Sequence, residues 1–424
     1  MSLLSPQVGI VAQTGTPGKA MDEDVYAKLT VAGAAFFVML EISYLVFAGL
    51  PPIAKPWIDG AEFVFGRDFL NTWMGGRSAF FGGPAPWFDV HAYNAALQQM
   101  LGGPYQEHYW SYPPHLMLFI WPLGLMPYLP AYIAWCAAGI ALYLFACAQG
   151  VSRDKLAFVA LAPGVAVCVF FGQNGFYTSA LLIGGLLCMD RRPVLAGILF
   201  GILTVKPQLG MLLPLVLVLE RRWTTIASAI VTTAVLVVAT TMLFGWNIWI
   251  EFYQKVVPQQ EWLTEHGKGL LLAIVSSVFY GGRMLFLPLR VDWILQGIAS
   301  AFAVGAVAWT YWKRRDPSLS LALLVTATFI FTPYILNYDM VMFGFVVALL
   351  RDRPDNTRRD HQLLIAIWSL PVAMMLSALI FFPLAPVVLI AFAVRILWHL
   401  RQDEKRQQKH QDLPLPELAA SAAV

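Results

Sequence analysis

Four ionisable residues stand in or beside long apolar runs, and a charged group at membrane depth needs a chemical reason to be there. They are Glu41, Asp68, Lys206 and Asp339. Such a group is costly in lipid, so it usually pairs with another group or marks a functional site. The side assignment given below places all but Glu41 near one outer face. We therefore expect Asp68, Lys206 and Asp339 to share an outward-facing cavity, and Glu41 to pair or stay protonated.

Asp68 is the candidate general base. A carboxylate beside a membrane, flanked by Arg67 and Phe69, can take the proton of an acceptor hydroxyl as that hydroxyl attacks. Aspartate is also a preferred N-cap residue, so Asp68 could simply cap a short interfacial helix. The local sequence leaves both alternatives open.

Lys206 lies in the turn Val205-Lys206-Pro207-Gln208 between two apolar runs. Its ammonium group and nearby backbone NH groups could hold an anionic leaving group such as a lipid-linked phosphate. The alternative is a lysine whose stem lies in the apolar layer while its head reaches the interface.

Two further segments offer weaker candidates for sugar binding. Gln173 and Asn174 lie between two glycines and suit hydroxyl recognition, although an ordinary polar turn fits the pattern almost as well. Tyr112 precedes two prolines, a pattern that also favours a helix start.

A late outer segment and a polar loop offer the remaining candidates. Asp339 follows Asn337 and Tyr338, and its carboxylate could bind a sugar hydroxyl or cap the next helix. His266 and Lys268 lie in a polar loop that is most simply solvated, with phosphate contact as the alternative.

The composition places the chain in lipid. It is 58% hydrophobic and 12% charged, with a mean hydropathy of +0.65, whereas soluble domains carry about 25% charged residues. The apolar runs are long and unbroken, so they indicate helices and exclude barrel strands. At about 20 apolar residues per crossing, we predict an all-α polytopic membrane protein of roughly ten to twelve transmembrane helices.

The remaining composition excludes other classes of protein. The four cysteines lie in apolar runs without CxxC spacing, so they are predicted to be packing residues. The net charge of +3 is carried by basic clusters in short loops, which orient a membrane protein and do not indicate nucleic-acid binding.

Apolar runs and polar stretches divide the chain into a membrane domain with two tails. The first clean span is Leu29–Leu50, and short interfacial helices are predicted for Asp68–Phe81 and Val90–Leu101. The predicted parts are a cytoplasmic N-terminal tail (1–28), a transmembrane domain (29–400) with a first periplasmic loop (51–112) and a second outer loop (245–269), and a cytoplasmic C-terminal tail (401–424).

Basic clusters set the orientation, because cytoplasmic loops carry excess Lys and Arg. The clusters are Arg191-Arg192, Arg221-Arg222, Lys313 to Arg315, Arg351 to Arg359 and Arg401 to Lys409. The turns at Gln173 and Lys206 and the segment 332–339 then face outward. If residues 113–148 made two crossings, Gln173 would fall on the wrong side, so we expect one early run to be re-entrant or miscounted.

Several motifs together resemble glycosyltransferase family 87, formerly the domain of unknown function DUF2029, over about residues 60–350. They are Gly66-Arg67-Asp68-Phe69, Tyr112-Pro113-Pro114, Gly172-Gln173-Asn174-Gly175, Asp190-Arg191-Arg192-Pro193 and Lys206-Pro207-Gln208. The resemblance implies a GT-C fold and an inverting transfer from a polyprenyl-phosphate sugar at the outer face of the plasma membrane. The family's catalytic aspartate in the first outer loop matches Asp68.

We also expect roles for the other candidates. For binding of the donor phosphate or sugar they are Arg67, Lys206, Gln208, Gln173, Asn174 and Tyr112, and for the acceptor or pocket they are Asn337, Tyr338, Asp339 and His266. Two departures matter. Arg67 stands where related proteins often carry a second acidic residue, so neither a metal site nor a cofactor is expected. Asn337 to Asp339 stand where members carry a histidine, which leaves the donor sugar and the acceptor open.

The expected reaction moves a mannose-like hexose or a pentose to a glycan or glycolipid acceptor by single displacement. A lipid phosphate leaves without a separate acid, so one carboxylate suffices, unlike the paired carboxylates of glycosidases. The alternative is a transporter or flippase of lipid-linked sugars, which would use the same buried charges without making a bond. A non-catalytic scaffold would tolerate alanine at both Asp68 and Lys206.

Overall fold

The structure is a computed structural model that describes residues 19–48, 66–81, 88–101, 108–313 and 315–411. The expectations for residues 1–18, for residues 51–65, 82–87 and 102–107 of the predicted first loop, and for the tail after residue 411 therefore lie outside the described residues.

The described chain is helical throughout. Its only pairing of extended backbone is an isolated antiparallel bridge between Val275 and Leu336. The α-helices are α1 (Lys19–Ala48), α2 (Phe69–Phe81), α3 (Val90–Leu101), α4 (Met117–Ile120), α5 (Tyr128–Cys147), α6 (Leu156–Ala160), α7 (Pro163–Phe171), α8 (Gly175–Cys188), α9 (Pro193–Leu203), α10 (Leu213–Leu219), α11 (Trp223–Phe244), α12 (Asn247–Glu251), α13 (Val257–His266), α14 (Leu270–Ile274), α15 (Val278–Met284), α16 (Leu289–Trp312), α17 (Pro317–Phe331), α18 (Met342–Leu350), α19 (Arg358–Ala378) and α20 (Leu384–Gln411).

Six of the described helices are long and apolar enough to cross a membrane. A seventh crossing would be the pair Arg153–Ala160 and Pro163–Phe171, which meet at 51°, and shorter apolar helices of 10–17 residues accompany them. Large apolar side chains on α11 point outward, with Met242 83% exposed, as a lipid-facing surface requires. The predicted all-α polytopic membrane fold is confirmed, whereas six or seven helices of the described residues, not the predicted ten to twelve, have the length and apolar character of a full crossing.

One end of the bundle gathers the basic clusters and joins them through ion pairs. The pairs are Arg222–Asp190 (2.5 Å), Arg315–Glu404 (2.9 Å), Arg353–Asp316 (3.1 Å) and Lys155–Asp352. Helix α10 packs against α16, and the charge of Glu220 reaches Tyr311 at the end of α16, so the first of these pairs lies at the same end as the others. The positive-inside rule therefore gives one consistent answer, with this end as the expected cytoplasmic end.

The run after Tyr112 explains the conflict in the crossing count. Its two flanking tyrosines lie at the same end of the bundle, since Tyr112 donates a hydrogen bond to Gln173 (3.0 Å) and Tyr128 donates one to the carbonyl of Gly66 (3.1 Å). Between them the chain forms short broken helices that pack on α2, where the Trp73 indole donates to the Met126 carbonyl (2.9 Å). The run therefore returns without crossing, and Gln173 stays at the end that carries Asp68.

Small residues let the helices that carry the site approach closely. A Cβ placed at Gly197 in α9 would clash with Ser228 in α11 and with the carbonyl of Thr225, and one at Gly201 would clash with Thr232. Close backbone approach at small residues is a common way to pack helices in lipid. This contact holds α9, and with it the turn at residue 206, against α11.

Helix α1 differs from the sequence prediction in one respect. It begins at Lys19, well before the expected Leu29, because the polar residues at its start extend the helix beyond the apolar run. Glu41 in this helix has no hydrogen-bond or ion-pair partner among the described residues, so the expected pairing is not found there.

Candidate active site

A cavity of about 1070 Å³ opens at the end opposite the basic clusters, between α2, the turns after α7 and α9, the α12–α14 segment and the chain after α17. Most of the candidates from the sequence line it. They are Arg67, Asp68, Tyr112, Gln173, Lys206, Gln208, His266 and Tyr338. Asp68 and Lys206, from distant chain segments, thus share one cavity.

The backbone around Asp68 is held against the end of α7. The Asp68 NH donates to the Phe171 carbonyl at 3.0 Å. Gly66 and Gly172 adopt φ values of 64° and 65°, a left-handed conformation that glycine enters without strain. A Cβ on Gly172 would clash with the Cβ of Phe69, so glycine also permits the close approach of the two loops.

The Asp68 side chain does not cap helix α2. Within the described chain, its hydrogen bond comes from the side-chain amide of Gln173, at 2.8 Å from Nε2 to Oδ2. The amide oxygen of Gln173 accepts from the hydroxyl of Tyr112 at 3.0 Å. The three residues form a chain of hydrogen bonds that ends on the candidate base.

Lys206 lies inside the protein and does not reach an interface. Its side chain is 3% exposed, and its Nζ lies 2.5 Å from Oδ1 of Asp339, which is fully buried. The same ammonium donates to Oδ1 of Asn174 at 3.3 Å and lies 4.9 Å from the ring centroid of Tyr338. The alternative of a snorkelling lysine is therefore wrong, because a buried carboxylate neutralises the ammonium.

Asp339 both caps a 3₁₀ turn and serves as the counter-ion of Lys206. Its Oδ2 accepts from the NH of Leu336 at 3.4 Å, at the start of the 3₁₀ turn Asn337–Val341, while its Oδ1 pairs with Lys206. The carboxylate is fully buried and does not line the cavity. Asp339 therefore caps this turn, which was one of the two alternatives predicted from the sequence. It does not lie where it would touch a sugar in the cavity.

The turn at Gln173 and Asn174 connects two networks of hydrogen bonds. Gln173 contacts Tyr112 and Asp68 on one side, and its neighbour Asn174 contacts the Lys206 ammonium on the other. Because the two amides are consecutive in one tight turn, the buried ion pair is connected through that turn to the amide that donates to Asp68.

Three other predicted residues have separate surroundings. Asn337 lies outside the cavity, and its amide donates to the carbonyl of Pro371 in α19 at 3.0 Å. Tyr338 lines the cavity beside Lys206. His266 also lines it, with its ring stacked on Trp262 at 5.1 Å between centroids.

Two basic side chains that line the cavity could bind an anion. Arg67 and Lys268 both line it, and neither has an ion-pair or hydrogen-bond partner within the part of the chain that the structure describes. Burial, together with the charges of Asp68 and Asp339, raises the pKa of Tyr112 well above its usual value, so its hydroxyl stays protonated as a donor to Gln173.

Several aromatic residues in the cavity wall were not predicted from the sequence. Trp262, Trp293 and Tyr334 line the same cavity, and the indole of Trp293 donates to Glu265 at 3.0 Å. Asn71, one helical turn after Asp68, lines it as well and accepts from the Tyr93 hydroxyl. Asn71 could have been predicted to line the cavity, because it follows Asp68 by three positions in the predicted helix Asp68–Phe81 and residues three apart lie on the same face.

Comparison with known proteins gives one match. No curated protein and no solved structure matches the sequence. The sequence model of glycosyltransferase family 87 matches residues 110–333, which is more than half of the 424 residues. Asp68 precedes the matched segment and Asp339 follows it, and both contact residues within it.

The matched segment contains Tyr112, the Gly172–Gly175 turn and Lys206, which together build the wall around Asp68. The helical membrane architecture and these motifs agree with that match. The chain therefore belongs to glycosyltransferase family 87 and is a membrane glycosyltransferase.

Proposed function

We propose that this protein transfers a sugar with inversion from a polyprenyl-phosphate donor to a hydroxyl of a glycan or glycolipid acceptor, at the outer face of the plasma membrane. One observation carries the proposal. The Asp68 carboxylate, oriented by Gln173, lines a large cavity that also contains the guanidinium of Arg67, which has no ion-pair partner among the described residues.

The proposed step is a single displacement. The acceptor oxygen bonds to the anomeric carbon as the bond from that carbon to the phosphate oxygen breaks. The polyprenyl phosphate leaves with the electron pair, and the acceptor's proton passes to Asp68. A base held at hydrogen-bond distance from the attacking hydroxyl is the main requirement for such a step.

Arg67 is the proposed contact for the donor phosphate. A planar guanidinium binds phosphate oxygens through paired NH groups, and this one has no competing carboxylate partner among the described residues. Lys268 lines the same cavity and adds positive charge. Lys206 is less suited, since its charge is already compensated by Asp339 at 2.5 Å.

Lys206 and Asp339 are instead proposed to position the turn that holds Gln173. A buried pair of this kind is a poor source of net stability, but losing one partner leaves an uncompensated charge. The pair therefore specifies one arrangement of the Asn174 side chain and the turn that carries it.

Three aromatic residues that line the cavity are proposed to bind sugar rings. Trp262, Trp293 and Tyr334 present apolar ring surface with polar edges, which suits the mixed faces of a sugar. His266, stacked on Trp262, adds a polar nitrogen at the same part of the cavity. These side chains fit either the donor sugar or the acceptor.

The test is turnover by purified protein in lipid nanodiscs, supplied with polyprenyl-phosphate mannose and a mixture of glycolipid acceptors. The measured quantity is free polyprenyl phosphate together with the glycosylated product. Asp68→Asn should lower turnover about 100-fold or more, because the base is removed without changing the size of the side chain. Glu261→Gln is the matched control, since Glu261 is a carboxylate in the same cavity.

Two outcomes would contradict the proposal. Turnover by Asp68→Asn at the wild-type rate would remove Asp68 from the chemistry. Movement of the donor across the bilayer of sealed proteoliposomes, with no release of polyprenyl phosphate, would instead favour a flippase, which uses the cavity without breaking the bond.

A further inference from the structure

A second cavity, of about 1030 Å³, lies between α5, α8, α9 and the run that packs on α2. Its walls are mainly apolar and include Leu142, Phe145, Leu181 and Leu199. At the outer end it reaches Asn174, and at the basic end it reaches Arg191 and Arg192. The proposed transfer reaction makes no use of this groove or of the two arginines.

The arginine pair at the basic end carries uncompensated charge. Arg191 and Arg192 are both exposed, and neither guanidinium has an ion-pair or hydrogen-bond partner among the described residues. The neighbouring Asp190 also lines the groove, and it pairs with Arg222 at 2.5 Å rather than with either of these two arginines. Helix α9 begins at Pro193, and the free NH groups of its first turn lie next to the pair, where they also favour an anion.

The groove has the dimensions of a lipid chain. The 14 residues of α8, whose ends lie near the two ends of the groove, span about 21 Å at 1.5 Å per residue. One leaflet accounts for about half of the roughly 30 Å hydrocarbon core. A fatty acyl chain that starts at the basic end therefore fits within the groove.

We propose that this groove binds one anionic phospholipid of the inner leaflet, with its phosphate on Arg191 and Arg192 and an acyl chain along α8. Basic pockets between membrane helices on the cytoplasmic side are suited to anionic head groups. The charge of the pair and the apolar walls together match an anionic head with a hydrocarbon tail. The inference is independent of the transfer reaction.

The polyprenyl chain of the donor is the competing occupant. It would enter from the outer end, where Val205 lines both this groove and the first cavity. An isoprenoid chain carries no charge that would use two arginines at the far end. The unpaired charge therefore favours the phospholipid.

The first test is native mass spectrometry of the detergent-purified full-length protein, titrated with dioleoyl phosphatidylglycerol or with dioleoyl phosphatidylcholine. Wild-type protein should retain phosphatidylglycerol in preference to phosphatidylcholine. The double variant Arg191→Gln/Arg192→Gln should lose roughly tenfold or more of the phosphatidylglycerol affinity. Arg358→Gln/Arg359→Gln is the matched control, because those arginines form an exposed pair at the same end but do not line the groove.

A second variant tests the groove without touching the arginines. Ala138→Trp should fill the groove and displace phosphatidylglycerol, whereas Ala137→Trp, one residue away on the exposed face of α5 and outside the groove, should not. Equal retention of the two lipids by wild-type protein would overturn the proposal. So would unchanged phosphatidylglycerol binding in the arginine variant. Displacement of the polyprenyl-phosphate donor by Ala138→Trp in the same binding measurement would then assign the groove to the donor chain.

These lipid-binding measurements need no turnover. A failure of lipid binding and a failure of the transfer reaction, tested by Asp68→Asn, can therefore be told apart.

Discussion

The carboxylate of Asp68 accepts a hydrogen bond from the amide nitrogen of Gln173 at 2.8 Å, across 105 residues of chain. The oxygen of the same amide accepts from the Tyr112 hydroxyl at 3.0 Å. Because a carboxylate can only accept and a protonated phenol can donate, these contacts assign the nitrogen to Asp68 and the oxygen to Tyr112. Oδ1 of Asp68 is left without a hydrogen bond among the described residues, and we expect it to face the acceptor.

Replacing Gln173 with glutamate should shift the pH dependence of transfer. A second carboxylate at 2.8 Å would disfavour the state in which both groups are ionised, so a proton stays on the pair to higher pH. The acid limb of the kcat/KM profile should therefore move to higher pH. The measurement is the initial rate of polyprenyl phosphate release as a function of pH.

The control for the charge effect is Tyr112→Phe. This variant removes one hydrogen bond to Gln173 and adds no charge, so the rate should fall by about tenfold or less while the limb stays in place. A superimposable profile for wild type and Gln173→Glu would show that Gln173 does not contact the base during turnover.

The sequence predicted the membrane fold, and most of its candidate residues line one cavity, but it could not predict which groups pair. Apolar runs and a depleted charge content identify helices in lipid because the backbone has no other way to satisfy its hydrogen bonds there. The partner of Lys206 is Asp339, 133 residues away, and no local pattern reveals it. Lys206 therefore appeared available for phosphate when its charge is in fact compensated.

The same limit applies to the run after Tyr112 and to Gln173. Apolar composition does not distinguish a helix that crosses the membrane from one that packs on a neighbour, so the crossing count failed where the chain packs on α2. Two amides between glycines gave only a weak local signal. Their importance comes from contacts with Asp68 and Lys206, which only the fold brings together.

Replacing Lys206 with methionine should destabilise the protein strongly. The carboxylate of Asp339 would remain fully buried without its counter-ion, at a cost of about 3–5 kcal/mol in the free energy of unfolding. The measurement is thermal unfolding of the purified protein in detergent.

The double variant Lys206→Met/Asp339→Asn tests whether Lys206 acts by positioning the turn at Asn174 or by placing its charge on the donor phosphate. It removes both charges, so it should recover much of the lost stability. If Lys206 acts only through position, the KM for the donor in this variant should stay close to the wild-type value. A large rise in that KM with restored stability would show that the ammonium contacts the donor phosphate directly.

Replacing Arg67 with glutamine should weaken donor binding. The guanidinium is the proposed phosphate contact, and losing a charge-assisted hydrogen bond costs about 1.5–3 kcal/mol, which corresponds to roughly tenfold or more in kcat/KM. The measurement is the rate as a function of donor concentration. Arg290→Gln is the control, because Arg290 is exposed and lies outside the cavity. Equal kinetics for the two variants would remove Arg67 from the donor site.

Replacing Gly172 with alanine should disrupt the loop that holds Asp68. Gly172 has a φ of 65°, and a Cβ there would clash with Phe69, so strain and steric overlap act together at a cost of about 1–3 kcal/mol or more. Both the unfolding temperature and the transfer rate should fall. Gly297→Ala is the control, since Gly297 lies in α16 with open space around it and alanine favours the helix there.

Asp355 at the basic end should make stability sensitive to acid. Burial alone would raise the pKa of Asp355, but the charge and hydrogen bonds of Arg353, together with His399 at 3.0 Å, outweigh burial and hold this pKa below its usual 3.8. A lowered folded-state pKa contributes stability above the unfolded-state pKa and loses it as the pH falls through the folded-state value. Below about pH 4, the unfolding temperature of wild type should therefore drop more steeply than that of Asp355→Asn. Parallel curves for wild type and Asp355→Asn would show that the Arg353 contact does not stabilise the fold.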